Sequence, residues 1–173
     1  KTWSKDPGSG DWYLHLFAKE QPDLYYHNPA VIEEIKAILK FWLDKGIAGF
    51  RCDVINILWK ESLNDGRKRL ILTGSEHYIS KQRNHDILKT LRKDVLDLYD
   101  CFTVGETVFI TPEDARDFIL PERKELDMIF SFEHMETDQI IVKWFKTKFK
   151  PKKLFQTLIK WQKELPWNAN YLE

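Results

Sequence analysis

Apolar positions recur at helical spacing in four stretches of the chain, and short, almost continuous apolar runs separate them. Ile32, Ile35, Leu39, Trp42 and Leu43 share one face of a predicted helix. Asn28 is its expected N-cap and Pro29 suits the first helical position. Glu33 and Glu34 sit toward the positive end of its dipole, and Gly46 stands where a left-handed stop belongs. A second helix is predicted from a cap at Asn84, with Ile87, Leu91, Val95 and Leu98 on one face. Thr111-Pro112-Glu113-Asp114 is a well-formed start for a third. A fourth is expected over roughly residues 151–164, stopped by Pro166.

The runs between these helices have strand length. Residues 47–57 (IAGFRCDVINI) are apolar on both faces, as in a strand buried on both sides of a parallel sheet. With a period of two, Gly49, Arg51 and Asp53 share one face, and Phe50 and Cys52 the other. Residues 102–104 form a second strand ending in Gly105-Glu106-Thr107, residues 126–132 a third, and residues 167–172 the start of a fourth. A short strand is also readable in residues 11–17 (DWYLHLF). Residues 58–83 make a long polar connection with a turn at Asn64-Asp65-Gly66. Helix and strand alternate four times, which means a parallel sheet with helical crossovers. That pattern fits an open doubly wound sheet or a piece of a (β/α)8 barrel. No GxGxxG or GxxxxGK[ST] follows any strand, which removes the usual nucleotide-binding argument.

Active sites of parallel α/β folds lie at the carboxyl ends of the strands. Asp53 and Glu106 occupy that position on successive strands. Adjacent strands lie about 4.8 Å apart. Two such carboxylates can approach to about 5–5.5 Å, the separation of retaining glycosidases. Arg51 shares the face of Asp53 and would fix its orientation and charge. A lone acid at a strand end is more often a loop cap or ion-pair partner. Two on successive strands, with an Arg inside an apolar run, shift the balance toward chemistry.

Composition narrows the picture further. Lys plus Arg and Asp plus Glu are both 27, so the chain of 173 residues has no net charge to draw it to nucleic acid or an acidic membrane. No apolar run approaches the roughly 20 residues of a membrane span. Cys52 and Cys101 form no disulfide framework or metal spacing, so a reducing, cytoplasmic location is expected. His15, His27, His77, His85 and His134 lack metal-ligand spacing, and neither a metal nor a cofactor is expected. Cys52, facing away from Asp53, reads as a small core residue. Trp12, Tyr25 and Tyr26 are candidates to stack on sugar rings.

Gly49-Phe50-Arg51-Cys52-Asp53-Val54-Ile55-Asn56 closely resembles the GFRxDVIN segment of glycoside hydrolase family 13, the alpha-amylase family. Val104-Gly105-Glu106-Thr107 resembles its VGE segment, and Gln21-Pro22-Asp23-Leu24 its QPDLN segment. The resemblance covers nearly the whole chain. It implies a partial (β/α)8 TIM barrel, roughly helix three through strand seven. Residues 1–27 would be the end of an inserted loop domain and its link, and residues 28–173 barrel. It implies Asp53 as nucleophile, Glu106 as general acid/base and Arg51 as the orienting cation. The subgroup resembled contains oligo-1,6-glucosidases, dextran glucosidases and trehalose-6-phosphate hydrolases. In that subgroup Val at the position of Val54 goes with alpha-1,6 linkages; as plain physics, Val in a buried strand is ordinary core. The expected partner is an alpha-glucoside or oligosaccharide.

The sequence departs from the family pattern in places. Tyr25 replaces the Asn of QPDLN. The family's first motif would precede residue 1, and its third catalytic carboxylate would follow Glu173. Asn84-His85-Asp86 is out of order for that motif and reads as a helix start. The chain is therefore expected to be an internal fragment, inactive alone and offering open barrel edges for self-association. The basic run 146–153 (KTKFKPKK) reads as solvated surface rather than a sugar-phosphate site. Alternatives to alpha-1,6 hydrolysis are a trehalose-6-phosphate hydrolase, an alpha-1,4-glucosidase, a transglycosylating isomerase, or a non-catalytic barrel like that of transporter heavy chains. Retention of Asp53, Glu106 and Arg51 argues against the last.

Overall fold

A computed structural model describes residues 2–67, 74–140 and 142–172 of the chain. Two short strands, β1 (Trp3–Lys5) and β2 (Trp12–Leu14), pair antiparallel as a hairpin of their own. Helix α1 (Pro29–Asp44) follows, capped as the sequence predicts: Asn28 Oδ1 accepts from Ala30 N at 3.0 Å. Gly46, at φ +87°, takes the left-handed backbone that ends it. Glu33 lies beyond the first turn and does other work. It accepts from Lys36, whose ammonium also reaches Asp94 at 2.8 Å and so joins α1 to the next helix.

Strand β3 (Gly49–Cys52) is shorter than residues 47–57 suggest. Val54 turns the chain at φ +37°, and Ile55–Ile57 form a 3-10 turn. Gly49 is required by contact: a Cβ there would lie 1.9 Å from the Phe102 carbonyl oxygen. Helix α2 (Gln82–Asp94) starts two residues before the expected cap. Asn84 lies inside its first turn, fully buried, with its side chain spent on the loop after β3. Leu98 belongs to a separate 3-10 turn (Leu96–Leu98) and is exposed, so it is not on the helix's apolar face. Of the long connection, residues 68–73 lie outside the described residues. Gly66 serves a close approach: a Cβ there would meet Gly74 Cα at 2.3 Å.

Strand β4 (Phe102–Glu106), helix α3 (Pro112–Ile119), strand β5 (Met128–Phe130), helix α4 (Pro151–Glu164) and the final strand complete the alternation. Thr111 and Asp114 form the reciprocal capping box at α3. Between β5 and α4 lies a hairpin that the sequence reading did not anticipate, β6 (Gln139–Ile140) with β7 (Val142–Lys146). Its seven residues, interrupted by a bulge, show no clear alternation. The last strand, β8 (Tyr171–Leu172), joins the main sheet, whose order is β3-β4-β5-β8 and whose pairs are all parallel.

Among the described residues β3 and β8 are the edges of this sheet. Its outer face packs on the helices through Ile55, Leu88, Ile110, Ala115, Phe118, Ile119, Leu126, Ile129 and Trp161. A second cluster of Leu43, Val95 and Leu96 takes Phe50 from β3. Cys52 packs on the first cluster as expected, and burial pushes its thiol up to about 11. The inner face is less covered: Phe102 is 45% exposed and Leu172 51%. In a closed barrel that face is filled by side chains.

Candidate active site

Parallel pairing fixes where the two acids meet. Arg51 is opposite Val104 and Cys52 opposite Gly105. Asp53 and Glu106 therefore fall on the next rung, at the carboxyl ends of β3 and β4. Glu106 is the last residue of β4, and Asp53 stands one residue past β3. Gly105 fits tightly against the core: a Cβ there would meet Leu126 Cδ1 at 2.6 Å and Ile55 Cγ2 at 2.9 Å, so those side chains would have to shift. It keeps the outer side of β4 flush with the core while Glu106 projects inward.

Arg51 bridges the two carboxylates. One guanidinium nitrogen, Nη1, donates to Asp53 Oδ1, and Nη2 pairs with Glu106 Oε2. The three groups are thus brought together as the sequence leads one to expect. Their surroundings differ. The side chain of Asp53 is 69% exposed and that of Glu106 only 13%. The Arg51 guanidinium also lies 5.7 Å from the centre of the Phe130 ring, at the end of β5. Phe130 in turn meets Phe132 edge-on. The inward alternation of Met128 and Phe130 was the available signal for this residue.

Val54, next to Asp53, is half-buried and left-handed, a conformation that β-branched residues rarely adopt. Tyr25 and Tyr26 sit elsewhere. They line a cavity of about 260 Å³ with Trp3, Trp12, Leu24 and Lys60, and its lining does not include Asp53, Arg51 or Glu106. Tyr25 stacks on His27 at 4.9 Å, and His27 on Trp59 at 3.7 Å. Burial, with the Asp23 charge, raises the Tyr26 hydroxyl above its ordinary value.

Asp23 of the QPDL segment is a tether. It pairs with the buried Lys60 and accepts from Leu16 N at 2.9 Å. Lys60 also donates to the carbonyl oxygens of Ile57 and Leu58. This joins the segment before α1 to the loop that follows Asp53. Among the described residues no group of three or more His, Cys, Asp or Glu is placed to hold a metal ion. No described helix is long and apolar enough to cross a membrane.

A parallel sheet with helical crossovers and acids at its carboxyl end fits part of a (β/α)8 barrel. Residues 1–173 match the family of the alpha amylase catalytic domain. The chain belongs to that family. It is 43% identical over 179 residues to an oligo-1,6-glucosidase of Parageobacillus thermoglucosidasius, an alignment covering 99% of this chain and 32% of the relative. An oligo-1,6-glucosidase of Heyndrickxia coagulans is 40% identical, covering 99% and 33%. The structure of trehalose-6-phosphate hydrolase from Bacillus licheniformis superposes with a TM-score of 0.88 at 35% identity, covering 98% of this chain and 30% of that one. The chain thus spans about a third of the length of the curated relatives it matches.

Proposed function

We propose that the protein to which this chain belongs is a retaining alpha-glucosidase acting on alpha-1,6-linked gluco-oligosaccharides. The observation that carries this reading is one guanidinium holding two carboxylates at adjacent parallel strand ends, one carboxylate open to solvent and the other mostly covered. Asp53, exposed and oriented by Arg51, attacks the anomeric carbon. Glu106, the more sheltered acid, protonates the departing oxygen, then takes a proton from the water that resolves the glucosyl-enzyme. As it stands, Glu106 is bonded to Arg51. The first step needs a protonated Glu106, so entry of the sugar ring has to break that bond and leave Arg51 on Asp53.

The oligo-1,6-glucosidase names of the relatives support the linkage, and Val54 is the residue through which the leaving sugar would be shaped. Tyr25 and Tyr26 serve a ligand only through the separate aromatic cavity. The likeness to trehalose-6-phosphate hydrolase lends weaker support to a second reading, hydrolysis of trehalose 6-phosphate. Parallel connectivity puts the 131–150 connection, with its exposed basic end, at the same end of the sheet as the two acids.

Asp53→Asn in the full-length protein tests the assignment. The expected result is a fall in kcat of about 10⁴-fold on isomaltose, with unchanged thermal unfolding. Wild-type turnover by that variant would contradict it. Faster wild-type hydrolysis of trehalose 6-phosphate than of isomaltose would select the second reading.

A further inference from the structure

Pairing between β3 and β4 stops at Cys52 and Gly105. Glu106 stays in register through its pairing with Phe130 of β5, but no backbone ladder fixes the level of Asp53 relative to it. A side chain takes over there. Asn56 lies three residues beyond Asp53, and Val108 two beyond Glu106. Asn56 Nδ2 donates to the Val108 carbonyl oxygen at 2.8 Å, and Val108 N donates to Asn56 Oδ1 at 3.1 Å. This reciprocal pair imitates one more rung of the ladder. The second Nδ2 hydrogen goes to Ser80 Oγ at 3.0 Å, and Ser80 N donates to the Asn56 carbonyl oxygen at 2.8 Å. Asn56 is completely buried, so these bonds face no competition from water.

The turn it holds is not stable by itself. Val54, at φ +37°, lies between Asp53 and Asn56, and such a conformation persists only where surrounding contacts impose it. Asn84 is the other buried amide on this turn. Its Nδ2 donates to the Ile55 carbonyl oxygen at 2.8 Å, and its Oδ1 accepts from Leu58 N at 2.9 Å. Asn84, however, anchors the turn to α2 and does not touch the loop after Glu106. Of the two amides, Asn56 is the one that ties the acid-bearing loops to each other.

We infer that Asn56 is a positioning residue that sets the separation of Asp53 and Glu106. The inference rests on their roles as nucleophile and general acid/base. When that separation loosens, the proton from Glu106 no longer reaches the departing oxygen in step with attack by Asp53. The loss therefore depends on how much help the leaving group needs.

Asn56→Ala in the full-length protein is measured on 4-nitrophenyl alpha-glucoside, whose leaving group departs readily, and on isomaltose, whose leaving group needs protonation. The expected losses in kcat/KM are roughly 10-fold and roughly 10³-fold respectively. Equal losses on both substrates, or none, overturn the proposal, because a smaller folded fraction lowers both rates alike. Should Asn56→Ala fail to fold, Asn56→Asp keeps the volume and the bond from Val108 N but loses both donations, and the same ratio decides. Asn84→Ala is the control: its unfolding temperature is expected to fall while the ratio of the two substrates stays at the wild-type value. A ratio disturbed equally by Asn84→Ala contradicts a specific role for Asn56. Full activity in Asp53→Asn would instead overturn the nucleophile assignment on which the inference stands.

Discussion

The two ends of the sheet carry similar residues in opposite states. At the carboxyl end, the side chains of Asp53 and Arg51 are 69% and 46% exposed and pair with charged groups, with the more covered Glu106 sharing Arg51. At the amino end, just before β5, the Glu125 carboxylate is fully enclosed. His85 Nδ1 lies 2.6 Å from one of its oxygens, Arg123 donates to the other at 3.0 Å, and Lys89 stands 3.6 Å away. Beside it, Arg92 donates to the Glu125 carbonyl oxygen, to Thr103 Oγ1 and to Asp127 Oδ2. Asp127 in turn accepts from the backbone and hydroxyl of Thr103. Charges gathered around one enclosed carboxylate stitch helix to strand. Charges left open can change partners, which a catalytic site requires. The difference matches the division of (β/α)8 folds into a reactive and a stabilising end.

The same chemical change should therefore read out differently at the two ends. Asp53→Asn is expected to remove activity and spare stability. Glu125→Gln should do the reverse: about 1–3 kcal/mol lost in denaturant unfolding, because the enclosed bonds from His85 and Arg123 lose their charged acceptor, while the folded fraction keeps wild-type kcat. A fall in kcat at unchanged stability would erase the contrast. A smaller effect belongs to Asp127. Burial alone would raise its carboxyl, but the bonds from Arg92 and Thr103 outweigh burial and hold it below the ordinary 3.8. A carboxylate lowered in the folded state contributes stability above its unfolded value, and that stability disappears as pH falls through the folded one. Asp127→Asn should accordingly flatten the decline of stability below pH 3.8, seen by thermal melts across acidic pH. An unchanged acid limb would deny Asp127 that role.

Much of this arrangement was legible in residue order, and the reasons are local. Asn28 with Pro29 and Thr111 with Asp114 announce their helices because capping is settled within a few residues. Asp53 and Glu106 stood out as acids at the ends of successive predicted strands, and Arg51 as a charge inside an apolar run. What stayed hidden depends on distant partners. Asn84 has the sequence signature of a cap, yet its amide grips a turn 29 residues earlier at Ile55 O. Residues 47–57 have the composition of one long strand, and only tertiary bonds bend them at Val54. The placement of Tyr25 and Tyr26 in a separate cavity follows from the β1–β2 hairpin, whose first strand carries too short a pattern to read.

As nucleophile, Asp53 is expected to become covalently glucosylated while Arg51 holds it. Trapping the full-length protein with a fluorinated alpha-glucosyl fluoride and sequencing the labelled peptide by mass spectrometry tests this most directly. The expected label is one fluoroglucosyl group on Asp53 within Gly49–Cys52 and its following turn, with inactivation proportional to labelling. A label on another carboxylate, or inactivation with Asp53 unmodified, would contradict it.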